Sequence, residues 1–223
     1  MWLYVWTSPL KEAYLWAWTW TPWANTVAYY PLDSTNTVND MSWNWKTMTN
    51  NWATFGTYAG VSCMNTQSWY LKRTSCIFTG TWTFTMNFWA YRYYDSNDYE
   101  NAIMIWASSG DNSLGAWVYN DKVYTFWWNG DHNSWYTMNT GKWYNIVVTR
   151  TSNTWTIYVD GVSRWSWTVS FNPTSWVTTI GSWFDGGSKR PWYLSEMIME
   201  NVCWTSTEVS NYFNNTKSKY WIS

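Results

Sequence analysis

Between Gly141 and Gly161 the chain reads GKWYNIVVTRTSNTWTIYVDG, and its apolar and polar positions follow the period of a strand. Trp155, Ile157 and Val159 alternate with Thr156, Tyr158 and Asp160, the spacing that puts one face on a core and the other outward. Val, Ile, Thr, Tyr and Trp fill both halves of the stretch, and turn formers stand at its ends. The pattern predicts strands over Trp143–Thr151 and Trp155–Asp160 around a Ser152-Asn153-Thr154 turn. Asp160-Gly161 predicts a second tight turn, because glycine enters positive φ at little steric cost. A lone hairpin is not stable in water, so the rest of the chain must supply more sheet.

It does. Strand patterns recur at Thr26–Leu32, Ala53–Phe55, Gly60–Met64, Trp69–Lys72, Phe84–Tyr91, Ala102–Trp106, Leu114–Tyr119, Lys122–Phe126, Ser166–Phe171, Thr178–Trp183 and Tyr193–Glu200, with a long polar loop at Asp33–Lys46. Helical periodicity is absent until Thr205-Ser-Thr-Glu208. That capping box predicts one helix, with Val209, Tyr212 and Phe213 on its apolar face and Asn214-Asn215 as its stop. Many short strands at regular spacing predict a β-sandwich or barrel. Gly141-Lys-Trp-Tyr resembles a unit of choline-binding repeats but occurs once, and no internal repeat is visible. Leu3-Tyr-Val-Trp6 and Ala13-Tyr-Leu-Trp16 read as two short strands, so residues 1–20 are expected to form a leader or attachment element and linker ahead of a domain over 21–223.

At 223 residues the chain can bury a real core as one domain. Charged residues make up 12%, the net charge is −1 and no Lys/Arg run occurs, which argues against a nucleic-acid partner. There is no apolar run of spanning length and no charged segment followed by an apolar one. The chain is therefore expected neither to cross a membrane nor to carry a Sec-type signal. Cys63, Cys76 and Cys203 match no zinc spacing and no disulfide framework, and are expected as small, half-buried residues. A Cys63–Cys76 bridge would need an oxidising compartment.

The unusual feature is 26 tryptophans against 11 glycines. Glycine averages about 7% of residues, and a turn-rich β protein should reach at least that. Trp43, Trp45, Trp52, Trp135, Trp165, Trp167 and Trp176 stand among Asn, Ser and Thr where turn chemistry calls for glycine. A Cβ and a bulky ring make positive φ costly there, so about two-thirds of the tryptophans are expected to be glycine codons misread. Some bacterial lineages and their phages read UGA as glycine, whereas another code reads it as tryptophan. On that reading Trp16–Trp23 becomes GAGTGTPG, a linker. The competing reading is a protein truly rich in interfacial tryptophan.

Motifs in a fixed order over most of the chain resemble the laminin G-like branch of the concanavalin A-like lectin/glucanase superfamily. They are Val27-Ala-Tyr-Tyr-Pro-Leu-Asp33, Asn39-Asp-Met-Ser-Trp-Asn44, Phe84-Thr-Met-Asn-Phe-Trp-Ala90, the Trp143…Tyr158-Val-Asp-Gly161 hairpin, and Leu194-Ser-Glu196 with the capped helix. Each is weak alone; the ordered set is specific. Departures are mainly tryptophan where the family has glycine. The resemblance implies an all-β jelly-roll sandwich of two antiparallel sheets with one short C-terminal helix. It also implies binding of glycans or proteins through loops and a concave face, and in many members one structural Ca²⁺. Asp40 and Asn44 fit the family's loop for that ion, with Glu196 as a distant contributor; an ordinary Asx turn is the alternative for the loop.

The hydrolases of that superfamily carry Glu-x-Asp-x-x-Glu on one strand, and this chain has no such signature. Glu196 and Glu200 fall on one face of a strand about 13 Å apart, too far for the roughly 5–9.5 Å of glycosidase pairs, and are expected as solvated strand or rim residues. His132 has no nucleophile beside it, and Asp185-Gly-Gly-Ser is a turn rather than a phosphate loop. The chain is therefore expected to bind rather than catalyse. Three aromatic loops, Tyr91–Tyr99, Trp128–Trp135 and Trp183–Trp192, supply candidate ligand residues: Tyr93, Tyr94, Asp131, His132, Trp183 and Arg190. The expected partner is a glycan or surface protein, and the expected carrier a virion tail or fibre. A bacterial cell-surface adhesin and a divergent glycosidase are the alternatives.

Overall fold

The computed structural model describes residues 25–35, 38–67, 69–75, 77, 83–93, 100–106, 114–127, 130–168, 177–183 and 192–222; the leader over 1–20 and Cys76 lie outside them. The strands are β1 Thr26–Tyr30, β2 Thr49–Asn51, β3 Thr54–Tyr58, β4 Val61–Asn65, β5 Tyr70–Arg73, β6 Thr83–Arg92, β7 Glu100–Trp106, β8 Leu114–Tyr119, β9 Lys122–Trp127, β10 Gly130–Thr137, β11 Trp143–Thr151, β12 Thr154–Val159, β13 Val162–Thr168, β14 Val177–Ile180 and β15 Trp192–Glu200. Helix α1, Ser206–Thr216, follows, and then a 3-10 turn over Lys217–Tyr220.

All named strand pairs are antiparallel and form two sheets. One runs β13-β12-β11-β6-β15-β4-β3, with β1 also on β15; the other runs β10-β9-β8-β7-β14-β5-β2. The expected hairpin forms at the heart of the first sheet, Ile146 opposite Val159 through Thr151 opposite Thr154. Its turn is two residues, Ser152-Asn153, one shorter than expected. The next turn takes Asp160 and Gly161 to φ 52° and 75°, the primed geometry that matches strand twist. A Cβ on Gly161 would sit 3.1 Å from the Phe213 ring, so α1 packs close over that turn.

Alternation along β6 sends Phe84, Met86, Phe88 and Ala90 into the core between the sheets, where they join Leu71, Ile103, Val123, Ile146, Ile180 and Leu194. Its other face carries Trp89 into a second apolar layer with Trp143, Val147, Tyr158 and Ile198. Helix α1 and the 3-10 turn cover that layer with Val209, Tyr212 and Tyr220. The capping box is present: Thr205 Oγ1 accepts from the Glu208 N–H at 3.2 Å and Glu208 Oε2 accepts from the Thr205 N–H at 2.7 Å. Asn214-Asn215 does not stop the helix, which continues to Thr216. No described helix is long and apolar enough to cross a membrane.

Three expectations are corrected. Residues 130–137 form β10, paired with β9, rather than a loop. Trp165 and Trp167 lie in β13 opposite Ile157 and Trp155, not in a turn, and Trp167 stacks on Trp155 with centroids 5.9 Å apart. Trp192 opens β15 and is buried, so it is a core residue rather than a loop ring. Cys63 is a buried free thiol whose pKa desolvation pushes up to about 11, and Cys203 is also free.

Candidate functional site

The second apolar layer is not fully roofed. Tyr193 on β15 lies opposite Tyr91 on β6, and Tyr91 lies opposite Trp143 on β11. Strand alternation therefore lines up three aromatic side chains across three strands on the outer face. Tyr58, at the end of β3, stacks flat on Tyr193 with centroids 3.7 Å apart and planes 10° apart. It also meets Tyr91 edge-on at 5.1 Å and Tyr93 edge-on at 5.7 Å. Tyr93 itself is 48% exposed, so the cluster reaches solvent.

The helical cover ends beside this cluster. Tyr220 stacks on Trp89 at 3.8 Å and meets Trp143 edge-on at 5.2 Å. Trp221 then turns the chain at φ 59° and lays its indole on Gly60. A Cβ at Gly60 would come within 2.6 Å of the Trp221 ring nitrogen. Between Trp221, Tyr220, Trp143, Tyr91, Lys142 and Gly60 lies an open cleft of about 560 Å³, a volume within the range of small-ligand sites. The β10–β11 connection that carries Lys142 is fixed by Gly141 N–H donating to the Arg92 carbonyl at 2.8 Å.

Desolvation, then the neighbouring tyrosines, push the Tyr58 hydroxyl up to about 12, and desolvation raises Tyr193 as well. These hydroxyls stay protonated at physiological pH and can both donate and accept hydrogen bonds. Flat rings, neutral hydroxyls and one lysine at a cleft mouth suit a polyhydroxylated ligand with an apolar face.

Of the ligand residues expected from sequence, Tyr93 belongs to this cluster. Tyr94 and Arg190 lie outside the described residues. Asp131 lies on β10, opposite Phe126. His132 lies on the same strand opposite Thr125, with its ring stacked at 4.6 Å on Trp167 of β13, where the two sheet edges meet. Trp183 follows β14 and is half-buried, its carbonyl accepting from Ser182 Oγ at 2.9 Å. The structure thus separates His132 from Tyr93. Tyr58, Tyr193 and Lys142 were not foreseen.

Burial lowers the His132 pKa from its ordinary 6.5. The unfolded chain takes up that proton first as pH falls, so stability contributed by neutral His132 is lost below about pH 6.5. Burial acts oppositely on Asp160 and Glu200, whose pKa values it raises, so the effect must be read as a difference. Melting temperatures of the wild-type chain minus those of His132→Gln are expected to fall between pH 7.5 and 5.5. A flat difference would mean the ring protonates freely in the fold.

The side chains of the expected metal set, Asp40, Asn44 and Glu196, are each engaged by the fold. Asp40 Oδ1 accepts from the N–H groups of Tyr29 and Ser42, each at 2.9 Å, and Oδ2 accepts from Lys46 N–H at 2.9 Å. Its carboxylate is the hub of an Asx-type loop. Asn44 turns its amide nitrogen to the Thr26 carbonyl at 2.7 Å. Glu196 is buried at a bulge in β15 with φ 50°, ion-paired to Lys219 and accepting from the Tyr212 hydroxyl at 3.1 Å. Among the described residues no three His, Cys, Asp or Glu side chains come together to hold a metal. Glu200 is likewise buried, accepting from Trp204 Nε1 at 2.6 Å. Neither glutamate is the solvated rim residue expected.

A family model described as the concanavalin A-like lectin/glucanases superfamily, of the laminin G type, matches residues 64–210. Among solved structures, domain 4 of AbnA, a GH43 extracellular arabinanase from Geobacillus stearothermophilus in complex with arabinotriose, aligns with a TM-score of 0.69 at 12% identity, over 84% of this chain and 97% of that one. The receptor-binding domain of botulinum neurotoxin type G aligns at 0.66 and 13% identity, over 86% and 51%. A structure of botulinum neurotoxin type C, whose cell entry is dependent upon interaction with two ganglioside molecules, aligns at 0.68 and 11%, over 85% and 51%. The chain thus spans about half the length of the neurotoxin domains it matches. No curated protein matches it by sequence.

Proposed function

The chain belongs to the laminin G-like branch of the concanavalin A-like lectin/glucanase superfamily, and from that premise we propose that it is a non-catalytic glycan-binding domain of an adhesin. The observation that carries this reading is the partly roofed aromatic face: Tyr58, Tyr91, Tyr93 and Tyr193 packed together beside a cleft walled by Trp143 and Trp221. Sugar rings stack on such surfaces while their hydroxyls bond to phenols and amines. One fold relative is in complex with arabinotriose and the cell entry of another depends on ganglioside molecules, which agrees with a sugar ligand. Non-catalysis is supported by the two strand glutamates, each buried and engaged by the fold rather than paired across a cleft. The expected carrier is a virion tail or fibre, with a cell-surface structure as the alternative; tail genes beside this one favour the first, and secretion or pilus genes the second.

A glycan array, followed by calorimetric titration of the best oligosaccharide, tests the site. Tyr193→Ala and Tyr91→Ala are each expected to weaken binding at least about tenfold, or about 1.4 kcal/mol, while the protein still melts cooperatively. Unchanged affinity in both variants would remove the aromatic face as the site. Release of reducing sugar from the same glycan would overturn the non-catalytic assignment.

A further inference from the structure

Two groups of tryptophan stand at opposite extremes in this fold, with Trp69, Trp165, Trp167 and Trp183 between them. Trp89, Trp143, Trp155 and Trp192 are at most 2% exposed and sit within strands. Trp43, Trp45, Trp52, Trp135 and Trp221 are 67–83% exposed, and their φ angles are 71°, 55°, 69°, 57° and 59°. Among the described residues no buried tryptophan has positive φ. The left-handed region brings Cβ against the following carbonyl, so a bulky L-residue there is an outlier that needs compensation. A buried ring could compensate through packing, and Asn or Asp through a local hydrogen bond. At 67–83% exposure these five indoles gain little from packing, although Trp221 touches Gly60 and Trp52 meets Trp69, and an indole has no side-chain acceptor for the second.

The surrounding backbone imposes the conformation. Asp40 holds the N–H groups of both Ser42 and Lys46, so the chain must turn sharply at 43 and 45. Asn50 Nδ2 donates across Trp52 to the Ala53 carbonyl at 3.0 Å. Asn133 Oδ1 accepts from the Trp135 N–H at 2.6 Å, where β10 loses register with β9. Trp221 caps the 3-10 turn, its N–H shared by the Lys217 and Ser218 carbonyls. A left-handed cap of this kind is ordinarily glycine, and the chain has 11 glycines beside its 26 tryptophans.

We infer that positions 43, 45, 52, 135 and 221 are glycine in the protein as its source makes it, each encoded by UGA read as glycine. UGA differs by one base from the tryptophan codon UGG and by one base from the glycine codon GGA. The source must therefore charge glycine onto a transfer RNA with a UCA anticodon. The buried tryptophans are genuine and encoded by UGG. This assignment rests on backbone geometry and composition; if it holds, the authentic protein lacks the Trp221 wall of the cleft, while the tyrosine cluster that carries the glycan reading is unchanged.

The gene tests it first: UGA is expected at the five positions and UGG at Trp89, Trp143, Trp155 and Trp192, and UGG at the five overturns the inference. Peptide mass spectrometry of the protein isolated from its source should read glycine at those five residues, and tryptophan there overturns it whatever the codon. In recombinant protein, the variant carrying Trp43→Gly, Trp45→Gly, Trp52→Gly, Trp135→Gly and Trp221→Gly should melt several degrees above the tryptophan chain. An equal or lower melting temperature would mean that tryptophan fits these turns, and overturns the structural basis.

Discussion

Trp89→Ala is expected to cost the fold about 3–5 kcal/mol, the range for removing a large aromatic from a packed interior. Trp89 has no exposed surface and lies between the first sheet and the C-terminal segment. Its ring stacks on Tyr220 at 3.8 Å and on Phe213 at 5.9 Å, so it touches both the 3-10 turn and α1. Alanine would leave a void that the sheet cannot close, because β6 is pinned between β11 and β15. For a chain of this length each kcal/mol moves the melting temperature by roughly 2–4 °C, so a drop on the order of 10 °C should appear in thermal denaturation. Trp89→Phe should cost less. The indole N–H is buried with no hydrogen-bond partner, and phenylalanine removes that desolvated donor along with part of the ring. A loss under about 1 kcal/mol for the alanine variant would mean that the helical layer rests loosely on the sheet.

Arg92→Met is expected to cost about 3 kcal/mol, the low end for breaking a buried ion pair. Arg92 is 2% exposed and reaches from β6 in the first sheet to the β8–β9 turn beside the second. There its guanidinium pairs with Asp121 and donates to the Met138 carbonyl at 2.5 Å. Methionine preserves most of the apolar stem, so the loss reports the charge and the hydrogen bond. The low end applies because Asp121 is 36% exposed and water can partly solvate it once alone. Chemical denaturation should show the deficit persisting in high salt, since a buried pair is poorly screened. Adding Asp121→Asn to Arg92→Met should cost little more, and a fully additive second loss would mean that the two residues are not coupled.

The fold was readable where local pattern and burial agree. β8 and β11 occupy Leu114–Tyr119 and Trp143–Thr151, the bounds their sequences predicted. β2 escaped notice because Thr49, Asn50 and Asn51 have no apolar alternation, and β10 because Gly-Asp-His-Asn-Ser is the composition of a turn. Both are edge strands held mainly by main-chain pairing, which leaves side chains little to say. The start of β13 was misplaced because Trp165 and Trp167 looked like displaced glycines. Turn chemistry did reveal Trp43, Trp45, Trp52 and Trp135 as residues in the left-handed region; Trp221 gave no such signal.

The site was far less legible. Tyr93 could be found in an aromatic-rich loop. Tyr58 and Tyr193, however, meet only because β3 is two strands away from β15 in the folded sheet. Sequence period says that such residues share a face, but not which strands adjoin or how far a helix covers them. The same limit applies to Glu196 and Glu200. Their charge suggested solvent, whereas Lys219, Tyr212 and Trp204 enclose them from elements later in the chain.

The indole resting on Gly60 has a practical consequence for anyone seeking the ligand. One wall of the cleft is supplied by Trp221, a single codon reading away from having no side chain at all. A laboratory host given tryptophan at 221 would make a narrower socket than the source does, and an oligosaccharide too broad for it would score as inactive. Compounds that grip the indole would score as hits and fail on the authentic protein. Screening the two versions side by side would sort ligands of the scaffold from ligands of one translation.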